Sequence, residues 1–408
     1  MSSNYSEIPC FLAKFAEKQV INNVLPFWQA RALSPNGGLY GAVSEHGVAD
    51  KSAPVGAILF ARTLWSFSHA YENTGNVEYL TTAKGLFSTF KNNFVDEQYG
   101  GVYWSTDADG SPLETHKHSV AQAYALFAAS LFYQISEDSD ALKLAQHLTS
   151  FTQTYFLRLD GTYLSQLSRD LEGHYHEQNA LIETCNQLHM LEAVTQYIKS
   201  TQDMALKAHL EELVDMFLLR IFPAQDHLAL RFTQNWKPSG NETSYGHNFE
   251  AGYLVYLACE TLGDDIRLAK VQNQLLRLVD FTVEHCKHAS GSYKYGIDIK
   301  GRALKTLLWW PQTEASNALL LAAKLTHKQT YIDELKALWV AIEKHWIDHQ
   351  HGEWFSVLNF KLEPAGNKNK VDFWRCSYHT TRACFHFARE NQKENIQSTT
   401  RLITPSIG

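Results

Sequence analysis

The stretch DEQYGGVYWS, residues 96–105, turns through a glycine pair into aromatic residues, and related turns recur along the chain. They are SPNGGLYGAV (34–43), LDGTYLSQ (159–166), SGSYKYGI (290–297) and HGEWFSVL (351–358). From one anchoring aromatic to the next, the steps are 63, 60, 130 and 61 residues. The wide step spans about two periods, and QDHLALRFTQ (225–234) fills its middle with Leu230 at the matching position. A repeat of this length predicts six similar structural units.

Each turn stands between two kinds of helical pattern. The segment YLTTAKGLFSTFKNNF (79–94) alternates charged and apolar residues at helical spacing, which is typical of a half-exposed helix. By contrast, GAILFARTLWSFSHAY (56–71) is apolar on almost every side, which is typical of a buried one. Six exposed helices alternating with six buried helices predict an all-α fold, an (α/α)6 barrel with short β-hairpins at one end. No segment resembles a linker, so we expect one catalytic domain over residues 1–408.

The composition excludes several classes of partner. The net charge is −7, and the lysines and arginines are scattered, whereas a nucleic-acid groove needs a basic stripe. No apolar run approaches the length of a membrane span, and no signal peptide is visible at the start. The six cysteines are isolated, which favours reduced thiols. We therefore expect a cytoplasmic protein without nucleic-acid or membrane partners, and the oligomeric state stays open, a homodimer included.

Polar residues near the starts of the buried helices indicate a site. Such groups are costly to bury unless they are paired, and each lies 17 to 26 residues after the anchor of its own copy. In a closed ring, equivalent positions converge at one end of the central cavity. Any one of them alone would more often be structural, but their convergence favours a binding pocket. The six are Arg62, Gln122, His189, His247, Glu314 and His379.

The residue types suit proton transfer on a sugar. Histidines titrate near neutral pH, and an arginine can stabilise negative charge that develops on an oxygen. His247 and Glu250 stand three positions apart on one helical face, so they could share a hydrogen bond, and His247 is either a structural histidine at a helix start or an acid/base oriented by Glu250. The pairs His116/His118 and His174/His176 lack a further ligand at metal-site spacing, and nucleotide-binding loops are absent. We therefore expect no metal and no cofactor.

Taken together, the motifs resemble those of the N-acylglucosamine 2-epimerase superfamily, which includes cellobiose 2-epimerases and mannose isomerases. The resemblance covers nearly the whole chain and implies an (α/α)6 barrel. The motifs that carry it are ARTLWSFSHAY, YGGVYWSTDADGSP, KHSVAQAYAL, NQLHMLEA, GHNFEAGYL, WWPQTEA and FWRCSYHTTR.

The resemblance also implies roles for single residues. His379 and His247 match the two acid/base histidines of the family, on opposite faces of the sugar. Glu250 and Glu314 match the carboxylates that orient or assist them. The substrate-binding residues implied by the resemblance are Arg62, His189, Trp309 and Trp374, and the convergence of helix starts adds Gln122.

Three departures bear on the substrate. Val120 replaces a tyrosine that many cellobiose epimerases have, Pro311 follows the tryptophan pair, and Ser377 replaces a proline. They favour a small-molecule monosaccharide substrate, and hence an aldose–ketose isomerase of the mannose–fructose type. The alternative is an aldose 2-epimerase acting on mannose or on the reducing end of cellobiose. A two-carboxylate glycoside hydrolase and a non-catalytic sugar-binding protein are less favoured hypotheses.

Overall fold

The computed structural model describes residues 10–172, 180–225 and 227–389, and within them helices of an inner ring alternate with helices of an outer ring. The inner helices are α2 (Ala57–Thr74), α4 (Ser119–Ser136), α6 (Thr184–Thr201), α8 (Tyr245–Leu262), α10 (Trp309–Thr326) and α12 (378–389). The outer helices are α1 (Cys10–Gln19), α3 (Val77–Phe94), α5 (Ser139–Phe151), α7 (Lys207–Met216), α9 (Asp265–Cys286) and α11 (Gln329–Ala341). The predicted all-α (α/α)6 barrel is confirmed.

The inner helices are buried because they are apolar all round. In α4, every residue from Ser119 to Phe132 is buried. Five inner helices run for 18 residues and are followed by a residue in the left-handed conformation, such as Glu137 with φ 56°. That conformation ends a helix tightly, so the next outer helix starts within a few residues. None of the helices in the described ranges combines the length and the apolar composition of a bilayer span.

Short antiparallel strand pairs gather at the end of the barrel where the inner helices begin. A strand leads into each of α2, α4, α6, α8 and α10, and it pairs with the strand that follows the next outer helix. The pairs are β3 (Val55–Gly56) with β4 (Ser105–Thr106), β5 (Lys117–His118) with β6 (Gln166–Leu167), β7 (Ile182–Glu183) with β8 (Arg231–Phe232), β9 (Thr243–Ser244) with β10 (Gly296–Ile297), and β11 (Thr306–Leu308) with β12 (Val357–Asn359). The first pair in the chain is β1 (Ala42–Val43) with β2 (Ala49–Asp50).

Contacts between the two ends of the described chain close the ring. Val43 of β1 forms an antiparallel bridge with Val371, just before α12. The Trp28 indole N–H donates to Glu353 at 2.7 Å, and Arg375 donates to the other oxygen of that buried carboxylate at 2.9 Å. Closure brings the start of α12 beside the starts of the other inner helices.

Gln122 does not contribute to the cavity, contrary to the prediction that it binds substrate. Its amide oxygen accepts from the Val102 N–H at 2.7 Å, and its amide nitrogen donates to the Val102 carbonyl at 2.9 Å. The turn comes this close because Gly101 has φ +67°, and a Cβ there would lie 2.5 Å from Phe151 and 2.7 Å from Gln122. Gln187 and Gln312 bind the turns at Tyr163 and Tyr293 in the same way. The converging amides therefore hold the repeat together.

Candidate active site

A cavity of about 240 Å³ opens at the starts of the inner helices. Every lining residue except Val120 has a side chain with hydrogen-bonding or titratable groups, and most of them stand in inner helices distributed around the ring. The lining is Arg62, Val120, Cys185, His189, His247, Glu250, Tyr295, Trp309, Trp310, Trp374 and His379. All the predicted substrate-binding residues except Gln122 line this cavity, and so do the two predicted acid/base histidines and Glu250. Glu314 lies behind the lining.

His379 is held by a carboxylate from the neighbouring helix. Its Nδ1 lies 2.7 Å from Oε1 of Glu314, and both side chains are buried. Although burial alone would raise the pKa of Glu314, the positive charge of Arg382 and the bond to His379 hold it well below its ordinary value. An ionised carboxylate can only accept, so Nδ1 of His379 carries the proton and Nε2 is the basic nitrogen.

His247 is not held in this way, and the predicted bond between His247 and Glu250 is wrong. The Nδ1 atom of His247 is buried and has no hydrogen-bond partner among the described residues. Glu250 instead accepts from Arg382 at 3.3 Å and lies 4.0 Å from Nδ1 of His379. Spacing of three residues allows two side chains on one helix to meet. Here the carboxylate of Glu250 contacts residues of α12 instead.

Trp310 lies between the two histidines. Its ring centroid is 4.9 Å from that of His247 and 5.6 Å from that of His379. The tryptophan can approach the start of α8 because residue 246 is glycine: a Cβ there would lie 2.4 Å from the Trp310 ring. The two imidazoles therefore flank one aromatic side chain and face one small cavity.

Burial governs the charge of both histidines. It lowers the pKa of His379 to about 3, and it lowers the pKa of His247 to about 3 with a further contribution from neighbouring His189. Both imidazoles are therefore neutral at neutral pH. Burial raises the pKa of Glu250, and the negative charge of Glu314 raises it further, so this carboxyl tends to keep its proton.

Arg62 also lines the cavity and belongs to a hydrogen-bonded chain. Its guanidinium contacts the Tyr124 hydroxyl and lies 3.9 Å from the centre of that ring. The hydroxyl is also 2.8 Å from Nδ1 of His189, which in turn lies 3.1 Å from Glu192. The chain fixes the orientation of Arg62 and His189 before a ligand arrives.

Several buried polar atoms in the lining lack a protein partner. Among the described residues, Nε of Arg62, Nδ1 of His247 and the indole nitrogen of Trp309 have no hydrogen bond. Buried polar groups are nearly always paired, so such atoms mark places for a polar ligand. Sugar hydroxyls supply both donors and acceptors, and Trp374, which is 50% exposed at the rim, offers a flat apolar face.

Comparison with known proteins is consistent with this geometry. A family model described as N-acylglucosamine 2-epimerase (GlcNAc 2-epimerase) matches residues 38–383. The chain belongs to this family. It is an enzyme family of sugar epimerases and isomerases, so the prediction of family membership is confirmed.

Two curated relatives and one solved structure show the range within the family. A cellobiose 2-epimerase from Ruminococcus albus is 32% identical over 377 residues, which cover 90% of this chain and 96% of that protein. A D-mannose isomerase from Marinomonas mediterranea is 24% identical over 391 residues, covering 92% and 97%. The structure of a sugar epimerase from a ruminal bacterium has a TM-score of 0.87 and 29% identity, covering 93% of this chain and 98% of that one.

Two residues that sequence reasoning did not assign, Arg382 and Tyr124, complete the site of this family member. Arg382 lies beneath the cavity and contacts Glu192, Glu250 and Glu314. The sequence indicated that Arg382 could belong to the site, because it stands three positions after His379 and so lies on the same helical face. Tyr124 bridges Arg62 to His189, but its apolar surroundings in the sequence are those of a core tyrosine.

Glu250, Glu314 and His379 also bring together the atoms that a metal ion could use, all within 4.8 Å of one another. Arg382 already lies 3.3 Å from the first carboxylate and 2.6 Å from the second. A divalent cation would have to share both carboxylates with a guanidinium, which is electrostatically unfavourable. The arrangement fits a buried ion-pair network, and the absence of a metal requirement stays a prediction.

Proposed function

We propose that this chain is an aldose 2-epimerase that acts on the reducing-end sugar of cellobiose or a similar saccharide. The observation that carries the proposal is the pair of neutral histidines, His247 and His379, that flank Trp310 and face one cavity. Epimerisation at C2 removes a proton from one face of the sugar and returns one to the other face, so it needs a proton-transfer group on each side. The 32% identical cellobiose 2-epimerase supports this function over the isomerase that the sequence favoured.

The chemistry follows from the positions of these groups. After the sugar ring opens, Nε2 of His379 accepts the C2 proton, and the electron pair of the broken C–H bond passes into an enediolate. Arg62, which lines the cavity, stabilises the negative charge on the sugar oxygens. The conjugate acid of His247 then donates a proton to C2 from the opposite face. Each turnover leaves His379 with one more proton and His247 with one fewer. Proton exchange with the solvent restores both residues, and the reverse reaction exchanges their roles.

The low pKa values of His247 and His379 set a condition on this cycle. Both histidines are neutral before the reaction, so His379 becomes charged when it takes the C2 proton, and His247 must take up a proton from the solvent before it can donate one to C2. An anion within a few ångströms raises a histidine pKa. The negatively charged enediolate therefore favours the protonation of the neighbouring histidine.

Aldose–ketose isomerisation of mannose is the second candidate. It uses the same enediolate but returns the proton to C1 on the same face, so a single histidine suffices. A relative named D-mannose isomerase matches 92% of the chain, and Val120 stands in the cavity lining where many cellobiose epimerases have a tyrosine. These two observations favour the second candidate, which has a monosaccharide as its substrate.

Proton NMR in D2O distinguishes the two reactions. The purified protein is incubated with cellobiose and, in parallel, with mannose. We expect a new mannose-ended disaccharide from cellobiose, with deuterium at C2 of the reducing sugar. Fructose from mannose with no epimer of either sugar would establish the isomerase instead. No change in either sugar, with a folded protein, would contradict the proposal.

A further inference from the structure

Arg382 contacts three buried glutamates. One terminal nitrogen of its guanidinium lies 2.7 Å from Glu192, and the other lies 2.6 Å from Glu314 and 3.3 Å from Glu250. The three glutamates belong to α6, α10 and α8, so one side chain joins three helices to α12. It does not line the cavity and is placed to act through other residues.

The position of Arg382 matters most for Glu314. Arg382 donates to Oε2 of this carboxylate while Nδ1 of His379 lies at Oε1, so the two partners use different oxygens. A buried carboxylate without a counter-ion takes up a proton. A protonated Glu314 could donate to Nδ1 and would then leave the proton of the imidazole on Nε2, the wrong nitrogen for a base facing the sugar.

We propose that Arg382 is a positioning residue for proton transfer: it keeps Glu314 anionic and so holds His379 in the tautomer whose Nε2 accepts the sugar proton. The inference rests on the proposed function of the site, since it assigns Arg382 a part in that proton transfer. A planar guanidinium suits the task because its fork reaches carboxylates on both sides, which an ammonium group cannot do.

The same side chain extends to the other wall of the cavity. Glu192, which Arg382 contacts, also accepts from the Tyr378 hydroxyl and lies 3.1 Å from Nδ1 of His189. Arg382 therefore neutralises the carboxylates that contact two lining histidines, His189 and His379. The charged and titratable groups around His379 are Arg62 of α2, Tyr124 of α4, His189 and Glu192 of α6, His247 and Glu250 of α8, Glu314 of α10, and Cys376, Tyr378 and Arg382 at α12.

The test compares Arg382→Met and Arg382→Lys with Arg389→Met on cellobiose. Arg389 is a matched control, since it lies on the same helix and pairs with a carboxylate, Glu72, at 2.8 Å, away from the cavity. For Arg382→Met we expect kcat to fall by about 10- to 100-fold, as for outer partners of functional histidines, with KM nearly unchanged. Loss of the cation raises the pKa of Glu314, so the anionic carboxylate that fixes the tautomer of His379 is lost at a higher pH, and the acidic limb of the kcat profile moves up by about one pH unit or more.

Arg382→Lys keeps the positive charge but loses the planar guanidinium, whose two terminal nitrogens donate to different carboxylates. We expect a smaller loss of kcat and an acidic limb close to that of the unsubstituted protein, which separates the effect of charge from that of geometry. Arg389→Met should lower the melting temperature without moving kcat or the pH profile. If Arg382→Met does not fold, a fall in kcat at constant KM for Arg382→Lys, but not for Arg389→Lys, supports the inference.

Folded Arg382 variants with an unchanged kcat and pH profile would overturn the inference while the unsubstituted protein still converts cellobiose. Equal losses of kcat and melting temperature in the Arg382 and Arg389 variants would also overturn it, because they indicate a purely structural residue. A folded unsubstituted protein without turnover on either sugar would count against the proposed function instead.

Discussion

Nδ1 of His379 lies 2.7 Å from Oε1 of Glu314, although the two residues are 65 positions apart and belong to neighbouring inner helices. This contact decides which ring nitrogen of His379 is the base. A histidine whose outer nitrogen donates to a carboxylate presents the other nitrogen unprotonated. The geometry therefore assigns the two oxygens of one glutamate, and the two nitrogens of one histidine, to different tasks.

Replacing His379 tests its role as the base. His379→Asn keeps an N–H that can donate to Glu314 but removes Nε2, so we expect turnover of cellobiose to fall by about 10²- to 10⁴-fold with the fold intact. NMR rate measurements and circular dichroism check both parts. His285→Asn, at an exposed position, is the control and should retain full activity. Near-normal turnover in His379→Asn would remove this residue from the mechanism.

Replacing His247 separates proton removal from proton return. In His247→Asn, His379 can still take the C2 proton and return a deuteron from the solvent to the same face. We therefore expect deuterium at C2 of recovered cellobiose without formation of the epimer. Mass spectrometry and NMR of the sugar recovered from D2O measure the two quantities. Epimer formation at the original rate would show that another group serves the second face.

Replacing Glu314 tests whether this carboxylate fixes the tautomer of His379. In Glu314→Gln the amide can turn its NH₂ toward Nδ1 of His379, which moves the ring proton to Nε2. The wrong tautomer lowers kcat by up to about 10⁴-fold in a comparable histidine–carboxylate pair, and we expect a loss of about 10²- to 10⁴-fold here. Glu363→Gln, at an exposed position, is the matched control and should leave kcat unchanged. A KM effect alone would contradict the assignment.

The buried groups also predict how stability depends on pH. Each of His247 and His379 has a pKa of about 3 in the folded protein and 6.5 when unfolded, so the unfolded chain binds more protons between these values. Their contribution to the free energy of unfolding is complete above pH 6.5 and falls as the pH drops toward 3. Glu250 acts oppositely: its raised pKa means that stability is lost as the pH rises above its ordinary 4.5.

Glu250→Gln isolates the second effect, because an amide resembles the protonated acid. We expect the melting temperature of Glu250→Gln, relative to the unsubstituted protein, to rise between pH 5 and 8. Thermal melts followed by circular dichroism measure it, with Glu363→Gln as the control. A difference that stays constant over this range would mean that Glu250 does not change its charge there.

Gln122 offers a test of the corrected assignment. Gln122→Ala leaves the Val102 N–H and carbonyl without their partners, which costs about 1–3 kcal/mol of unfolding free energy. We expect kcat and KM of the folded protein to stay unchanged, since the side chain is not in the cavity. Denaturant unfolding and steady-state kinetics check the two parts, with exposed Gln98→Ala as the control. A raised KM would restore Gln122 to the binding site.

Much of the architecture follows from local patterns in the sequence. The period of about 60 residues predicts six units, because each unit needs its own turn and cannot bury its apolar helix alone. Helices that are apolar all round must lie inside, and a closed ring brings their starts together. For this reason, Arg62, His189, His247 and His379 could be placed in one cavity before any contact was known.

Which of these residues are partners was decided only by the tertiary structure. Sequence spacing joined Glu250 to His247, whereas packing of α12 against α8 and α10 joins the carboxylates to His379 and Arg382. Equivalent positions also differ in rotation about their helices, so Gln122 points to the Val102 turn and not to the cavity. Periodicity specifies the face and the end of a helix on which a residue lies. The pairing of buried charges depends on distances of a few ångströms between helices far apart in the chain, and those distances exist only once the ring has closed.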